Sequence, residues 1–428
     1  MRCSLQEVFA EHFDSYSQGR TLHPREARAA WCIRNCFRPE LGYHVLECPQ
    51  GHHRVTQFHA CRHRSCPRCA ARPREQWLAA QLAQLLPCPH FHVVFTLPHE
   101  LIVLWQFNRA WFNQLLFDCV RSSLLQLCAD ARLLGAMPGL LMALHTWGRT
   151  LSHHPHVHCL LTAGGLDAYA QWRSCRTGFL LPLRPLQHLF RGKLLGALAQ
   201  ALREQRLKLP VPAEPQYWPG IVKSLYRKHF NIQINPPYAH GRAVAMYLAR
   251  YVKGGPIAQH RALQLDAAHV AFSYVDHRDQ QRKTMRLHAH EFIARVLWHA
   301  PPRGQHTVRR AGLYASAHQA QHQQAATALP PQPIPQPIPQ PITRPDLAFG
   351  RHATAGPPAT TLCPTCQQPL IRRFIAPTRR LPPHHLGEFY KTSTPPTAHL
   401  GPTRRSNGHS TDGRHRRRVN LPSVAAVC

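Results

Sequence analysis

Between Gly42 and Ala70 the chain has almost no apolar periodicity, yet it carries CPQGHHRVTQFHACRHRSCPRC from Cys48 to Cys69. A stretch with no hydrophobic face cannot fold by burial, so its thiols and imidazoles must organise it. Cys48 and His52 form one half-site and Cys66 and Cys69 the other, with 13 residues between them. Sulfur and nitrogen donors at this spacing suit a tetrahedral structural zinc ion. Cys61 and His53 are spare donors, so the fourth ligand stays open; the zinc set is four of Cys48, His52, Cys61, Cys66 and Cys69. The total of 15 Cys is odd, and six lie in tight pairs or clusters with His. That fits reduced, metal-binding thiols better than a disulfide framework and predicts a reducing cytoplasm.

Charge narrows the partner. Against 52 Lys+Arg stand only 20 Asp+Glu, a formal net charge of +32. Such an excess calls for a polyanion, nucleic acid first, and Arg62, Arg64 and Arg68 beside the cysteines read as DNA-gripping side chains. No run approaches the ~18 uninterrupted apolar residues of a spanning helix, and the N-terminus has no hydrophobic signal core. The expectation is a protein without membrane segments.

A helix is predicted from Pro24 to Phe37 and another from Pro73 onward, because Pro is tolerated in a first helical turn. The run HFHVVFTL reads as a strand, Leu101 to Leu134 as helical, and LLMALHTWGR and HVHCLLTA as neighbouring strands, the second ended by Gly164-Gly165. Residues 185 to 208 read as a helix, as does GRAVAMYLARYV, stopped by Gly254-Gly255. VAFSYVD and RKTMRL form a hairpin, and HEFIARVLWH a closing helix. The organisation expected is a helical, zinc-binding module over residues 1–86, a mixed α/β core over 87–317, and a tail over 318–428. That tail carries the polyproline repeat PQPIPQPIPQPI between Pro331 and Ile342 and the basic run RHRRR from Arg414 to Arg418, a disorder-prone composition. Its Cys363/Cys366 knuckle has no other half within a normal spacing.

Two constellations carry chemistry. His156 and His158 flank Val157 in a strand, so both imidazoles share one face and can chelate a divalent ion. Tyr247 and Tyr251 are four apart on a helix and therefore share a face as well, with Lys253 close behind. A phenol, with a pKa near 10, becomes a nucleophile at neutral pH only beside a cation that stabilises phenolate. Between Ala131 and Leu265 the only acids are Asp167, Glu204 and Glu214, so a carboxylate-built two-metal nuclease is hard to assemble. No GxxxxGK[ST] phosphate loop occurs either.

The order of CRHRSCPRC, FHVVFTLPHEL, WGRTLSHHPHVHCLLTAGGL, YLARYVKGG and VAFSYVD…EFIARVLWHAPPRG…GLYAS resembles the two-tyrosine rolling-circle transposases of bacterial insertion sequences, members of the HUH endonuclease superfamily. The likeness spans residues 20 to 317. It implies an α+β fold, a relaxase-like antiparallel sheet with flanking helices, preceded by a small zinc module; the disordered Pro-rich basic tail expected from composition lies outside the likeness. It further implies His156 and His158 as ligands of Mg or Mn, Tyr247 and Tyr251 as paired nucleophiles aided by Lys253, and Arg250 among the DNA-binding residues. The substrate it implies is single-stranded or hairpin DNA at the ends of a mobile element, cleaved to a 5′-phosphotyrosine. The third metal ligand is open, with His154, His92 and Glu100 as candidates. The chain departs from the family where Cys48 is followed by Gly51-His52 in place of a Cys-x-x-Cys knuckle. HPHVHCL also fits a histidine-triad nucleotide hydrolase, and a non-catalytic zinc-containing DNA-binding protein would need neither the His pair nor the Tyr pair.

Overall fold

In the computed structural model, residues 2–210, 216–252, 254–258, 263–276, 279–302, 304–330 and 362–375 are described. Lys253 lies outside them, as do residues 331–361 and the basic tail beyond 375, and so do the side chains of Tyr247, Arg250 and Tyr251. The strands are β1 (Arg2–Cys3), β2 (Tyr43–Glu47), β3 (Arg54–Phe58), β4 (His90–Thr96), β5 (Met137–Trp147), β6 (His153–Leu166), β7 (Trp172–Ser174), β8 (Ile232–Ile234), β9 (Leu263–Asp266), β10 (His269–Val275), β11 (Arg282–His288), β12 (Val308–Gly312) and β13 (Ile371–Ile375). The helices are α1 (Leu5–Ser17), α2 (Pro24–Asn35), α3 (Ala71–Leu82), α4 (Ile102–Phe107), α5 (Arg109–Ala129), α6 (Leu183–Arg203), α7 (Tyr217–Leu225), α8 (Arg242–Val252), α9 (Ala289–Trp298) and α10 (Gln319–Ala328).

The fold is α+β, with antiparallel sheets and flanking helices. The main sheet runs β12-β5-β6-β4-β8, with β7 beside β6. Alternate residues of a strand point to opposite faces, which divides this sheet sharply. One face carries Phe91, Val93, Phe95, Leu140, Met142, Leu144, Val157, Cys159 and Leu161, buried against Phe112, Leu116 and Val120 of α5 and Phe190, Leu194 and Leu198 of α6. Each fully buried Leu or Phe contributes roughly 1.5–3 kcal/mol, so a one-residue slip of any strand would be heavily penalised. The opposite face carries Leu141, Ala143 and Leu160 beneath Val244 and Leu248 of α8.

Strand β6 passes through the Gly164-Gly165 pair instead of ending there. No side chain fits at these positions: a Cβ at Gly165 would sit 2.4 Å from the Met137 carbonyl oxygen, and one at Gly164 would sit 2.6 Å from that of Arg173. The glycines admit neighbouring backbones and do not stop the strand.

A second core joins the chain's beginning to its later part. Helix α1 starts with a capping box in which the Glu7 amide donates to Ser4 Oγ and the Ser4 amide to Glu7 Oε2; α2 starts at Pro24 with His23 as cap. Val8 and Phe9 of α1 and Ala29, Ala30 and Ile33 of α2 are buried with Val270 and Phe272 of β10 and Phe292, Ile293 and Val296 of α9. Strand β1 extends the β9-β10-β11 sheet. This core thus crosses the boundary expected at residue 86.

The third sheet, β13-β2-β3, includes a strand from beyond residue 317, in the tail expected to be disordered. Helix α10, also past 317, buries Ala325 in the cluster beneath α8.

Candidate functional site

The antiparallel register of β5 and β6 pairs Leu141 with Leu160, Ala143 with His158 and His145 with His156. All six side chains therefore share the α8 face of the sheet, apolar at the α8 end and histidine-lined beyond it. The ligand atoms of His145, His156 and His158 lie within 4.8 Å of one another, and all three rings are buried. Ring centroids are 4.2 Å apart for His145 and His158, 4.6 Å for His156 and His158, and 5.3 Å for His145 and His156.

Burial keeps these rings neutral. It pushes His145 and His158 well below the ordinary imidazole range, with neighbouring imidazoles adding to the effect and, at His145, Arg64 too. His156 is pushed down to about 3, again chiefly by burial. Neutral imidazole is the ligating form. Tautomers are set from behind: His156 donates from Nδ1 to the His154 carbonyl oxygen at 2.5 Å, leaving Nε2 as the basic nitrogen. His158 Nδ1 lies 2.9 Å from His92 Nε2, and the Asn235 side-chain amide donates to His92 Nδ1 at 3.1 Å. Neutral His92 therefore carries its proton on Nε2 and donates it to His158 Nδ1; ligation through Nε2 of His158 would reverse that bond. The all-imidazole donor set fits a bound cation.

Of the three residues considered as third ligand, none completes the pair. His92 stands behind His158, His154 supplies its carbonyl to His156, and Glu100 is ion-paired to Lys228 and His99. The residue brought to the pair is His145, which the sequence reading missed. Its signal was present: in a strand predicted beside β6, positions 141, 143 and 145 share one face.

Helix α8 crosses this face, with Val244, Ala245, Leu248 and Ala249 buried. Positions 247 and 251 follow Val244 and Leu248 by three residues each, next to that buried stripe. The loop after the helix is pinned to the cysteine module, since a Cβ at Gly255 would lie 2.9 Å from the Ser65 carbonyl oxygen.

The single zinc set expected from sequence is corrected to two clusters. Cys61, Cys66 and Cys69 are joined by Cys36 at the end of α2, whereas Cys48 and His52 are joined by Cys363 and Cys366. In the first, Cys36 Sγ lies 3.4 Å and Cys61 Sγ 3.6 Å from Cys69 Sγ, and Cys36 and Cys61 are each followed by a left-handed residue, Phe37 (φ 56°) and Arg62 (φ 52°). Four thiols this close form a closed tetrahedral set of the structural zinc type.

The arginines differ in what they touch. Arg68 donates to Gln6 Oε1 and the Cys36 carbonyl and lies over the Phe37 ring, so it braces the module. Arg64 donates to Thr307 Oγ1, and burial lowers its pKa to about 10. Arg62 is exposed. Among the described residues no helix is long and apolar enough to cross a membrane.

A family model described as "Putative transposase" matches residues 139–322, and one described as "Transposase zinc-binding domain" matches residues 8–97. The chain is 35% identical over 324 residues to "Putative transposase y4qJ" of Sinorhizobium fredii (strain NBRC 101917 / NGR234), covering 74% of this chain and 81% of that one. It is 33% identical over 261 residues to "Transposase for insertion sequence element IS801" of Pseudomonas savastanoi pv. phaseolicola, covering 60% of this chain and 62% of that one. No solved structure matches. The chain belongs to the two-tyrosine transposases of insertion sequences, enzymes that act on DNA and carry an N-terminal zinc-binding domain.

Proposed function

We propose that the protein nicks and rejoins single-stranded or hairpin DNA at the ends of an insertion sequence through a covalent 5′-phosphotyrosine, driving rolling-circle transposition. The observation that carries this reading is that α8, the helix of Tyr247 and Tyr251, lies on the sheet face that holds His145, His156 and His158. A divalent ion held by these imidazoles would polarise the scissile phosphate and offset charge developing on it. An all-imidazole set suits a transition metal better than magnesium, which favours Mn over Mg.

Tyr247 or Tyr251 attacks phosphorus in line. Its O–H proton is lost, the new Tyr O–P bond forms as the P–O3′ bond breaks, and the 3′ oxygen takes up a proton. One phosphodiester replaces another, so the bond energy is kept and no nucleotide cofactor is consumed. A 3′-hydroxyl then reverses the step to rejoin strands, and a second phenol allows two such exchanges in one site. Lys253 and Arg250 supply positive charge for phenolate and DNA phosphate. The Cys36/Cys61/Cys66/Cys69 zinc set is structural, and through Ser65 and Gly255 it fixes the end of the nucleophile helix.

Incubating the protein with Mn or Mg and a labelled oligonucleotide of the element's end tests the reading. A labelled band at protein mass on a denaturing gel is expected; retained binding without adduct contradicts it.

A further inference from the structure

We propose that Cys48, His52, Cys363 and Cys366 hold a second zinc ion, which ties residues 362–375 to the N-terminal module across some three hundred residues of chain. Cys363 and Cys366 lie beyond both matched regions, 8–97 and 139–322.

The four ligand atoms lie within 4.8 Å of one another. Cys48 Sγ is 3.5 Å from Cys366 Sγ and 3.9 Å from His52 Nδ1, close to the roughly 3.8 Å edge of a tetrahedron with Zn–S bonds of about 2.3 Å. Each half turns tightly back on its first cysteine. In one, the Gly51 amide donates to the Cys48 carbonyl at 2.9 Å and Gly51 is left-handed (φ 76°); in the other, the Gln367 amide donates to the Cys363 carbonyl at 2.9 Å and Gln367 is left-handed (φ 59°). A glutamine in that conformation costs about 1–2 kcal/mol, and a closed metal loop provides the compensation.

Packing does not anchor this segment. All five β13 side chains are exposed, and Cys363 is the one fully buried residue of 362–375. Yet β13 pairs along the whole of β2, from Ile371 opposite Glu47 to Ile375 opposite Tyr43. A five-residue ladder with no buried side chain gains too little to offset the entropy of ordering it, whereas zinc bound to both halves contributes directly to folding. Phe374 then rests against His44 and His59, with ring centroids 5.4 and 5.6 Å away. Arg372 and Arg373 are thereby added to the edge of the module, enlarging its basic surface.

The test uses the full chain, purified without chelator, and compares zinc per chain with that of C363S/C366S by native mass spectrometry and elemental analysis. The count is expected to fall by one, and amide exchange over 371–375 to rise. An unchanged count overturns the proposal. Because that double variant could fail to fold, His52→Cys provides a second readout in protein loaded with Co(II): converting a site of three sulfurs and one nitrogen to one of four sulfurs strengthens the sulfur-to-cobalt charge-transfer absorption at unchanged stoichiometry. An unchanged spectrum in His52→Cys also overturns it.

Discussion

His145 stands directly opposite His156 in the β5–β6 ladder, and its ring closes a three-imidazole set with His158. If all three ligate, no one of them is dispensable. His145→Ala should then weaken Mn binding at least as much as His156→Ala, by roughly 10-fold or more, while the variant keeps its zinc. Isothermal titration with Mn measures this. A His145→Ala protein with wild-type Mn affinity would remove His145 from the set.

His92 is predicted to act through His158. Loss of an outer hydrogen-bond partner of a ligating imidazole costs about 10–100-fold in metal affinity or activity. His92→Leu should lower Mn affinity by that range, and His92→Gln, whose carboxamide can still hydrogen-bond Nδ1 of His158, should recover part of it. Equal loss in both would indicate a packing role only.

Gly255 is predicted to be intolerant of a methyl group. A Cβ there would meet Ser65 backbone at 2.9 Å, and overpacking of this kind costs about 1–3 kcal/mol. Gly255→Ala should lower the melting temperature and slow strand cleavage with zinc content unchanged. Wild-type cleavage and melting in this variant would show that the contact between module and helix does not matter.

Acid should destabilise the fold. Burial lowers His90 to about 4, His153 to about 2 and His299 to about 3, whereas each titrates near 6.5 when unfolded. A folded pKa below the unfolded one means the unfolded state binds protons first, so the stability present above about 6.5 is lost as pH falls toward the folded values. From pH 7 to 5.5 each group costs about 1.3 kcal/mol, about 4 kcal/mol in all. Urea midpoints at the two pH values measure it, and equal midpoints would contradict it.

The period-2 pattern around His156 and the period-3.6 pattern around Tyr247 are legible in sequence because each is local. His145 is not, since a single His in the apolar run LLMALHTW looks like core until β5 and β6 are set in register. Cys36 sits inconspicuously at the end of a helix, 25 residues before Cys61. Spacing alone groups Cys48 and His52 with the wrong partners, because their other half comes from the far end of the chain. Strand β13, IRRFI, has no buried face to give it a pattern, so only its pairing with β2 identifies it.

The central claim is that a phenol on α8 becomes bonded to DNA. The most direct measurement is peptide mapping of the covalent adduct formed by wild type, Tyr247→Phe, Tyr251→Phe and the double variant on an element-end oligonucleotide with Mn. An adduct mapped to Tyr247 or Tyr251 is expected, and none in the double variant, with DNA binding retained. An undiminished adduct in the double variant, or one mapped to another residue, would contradict it.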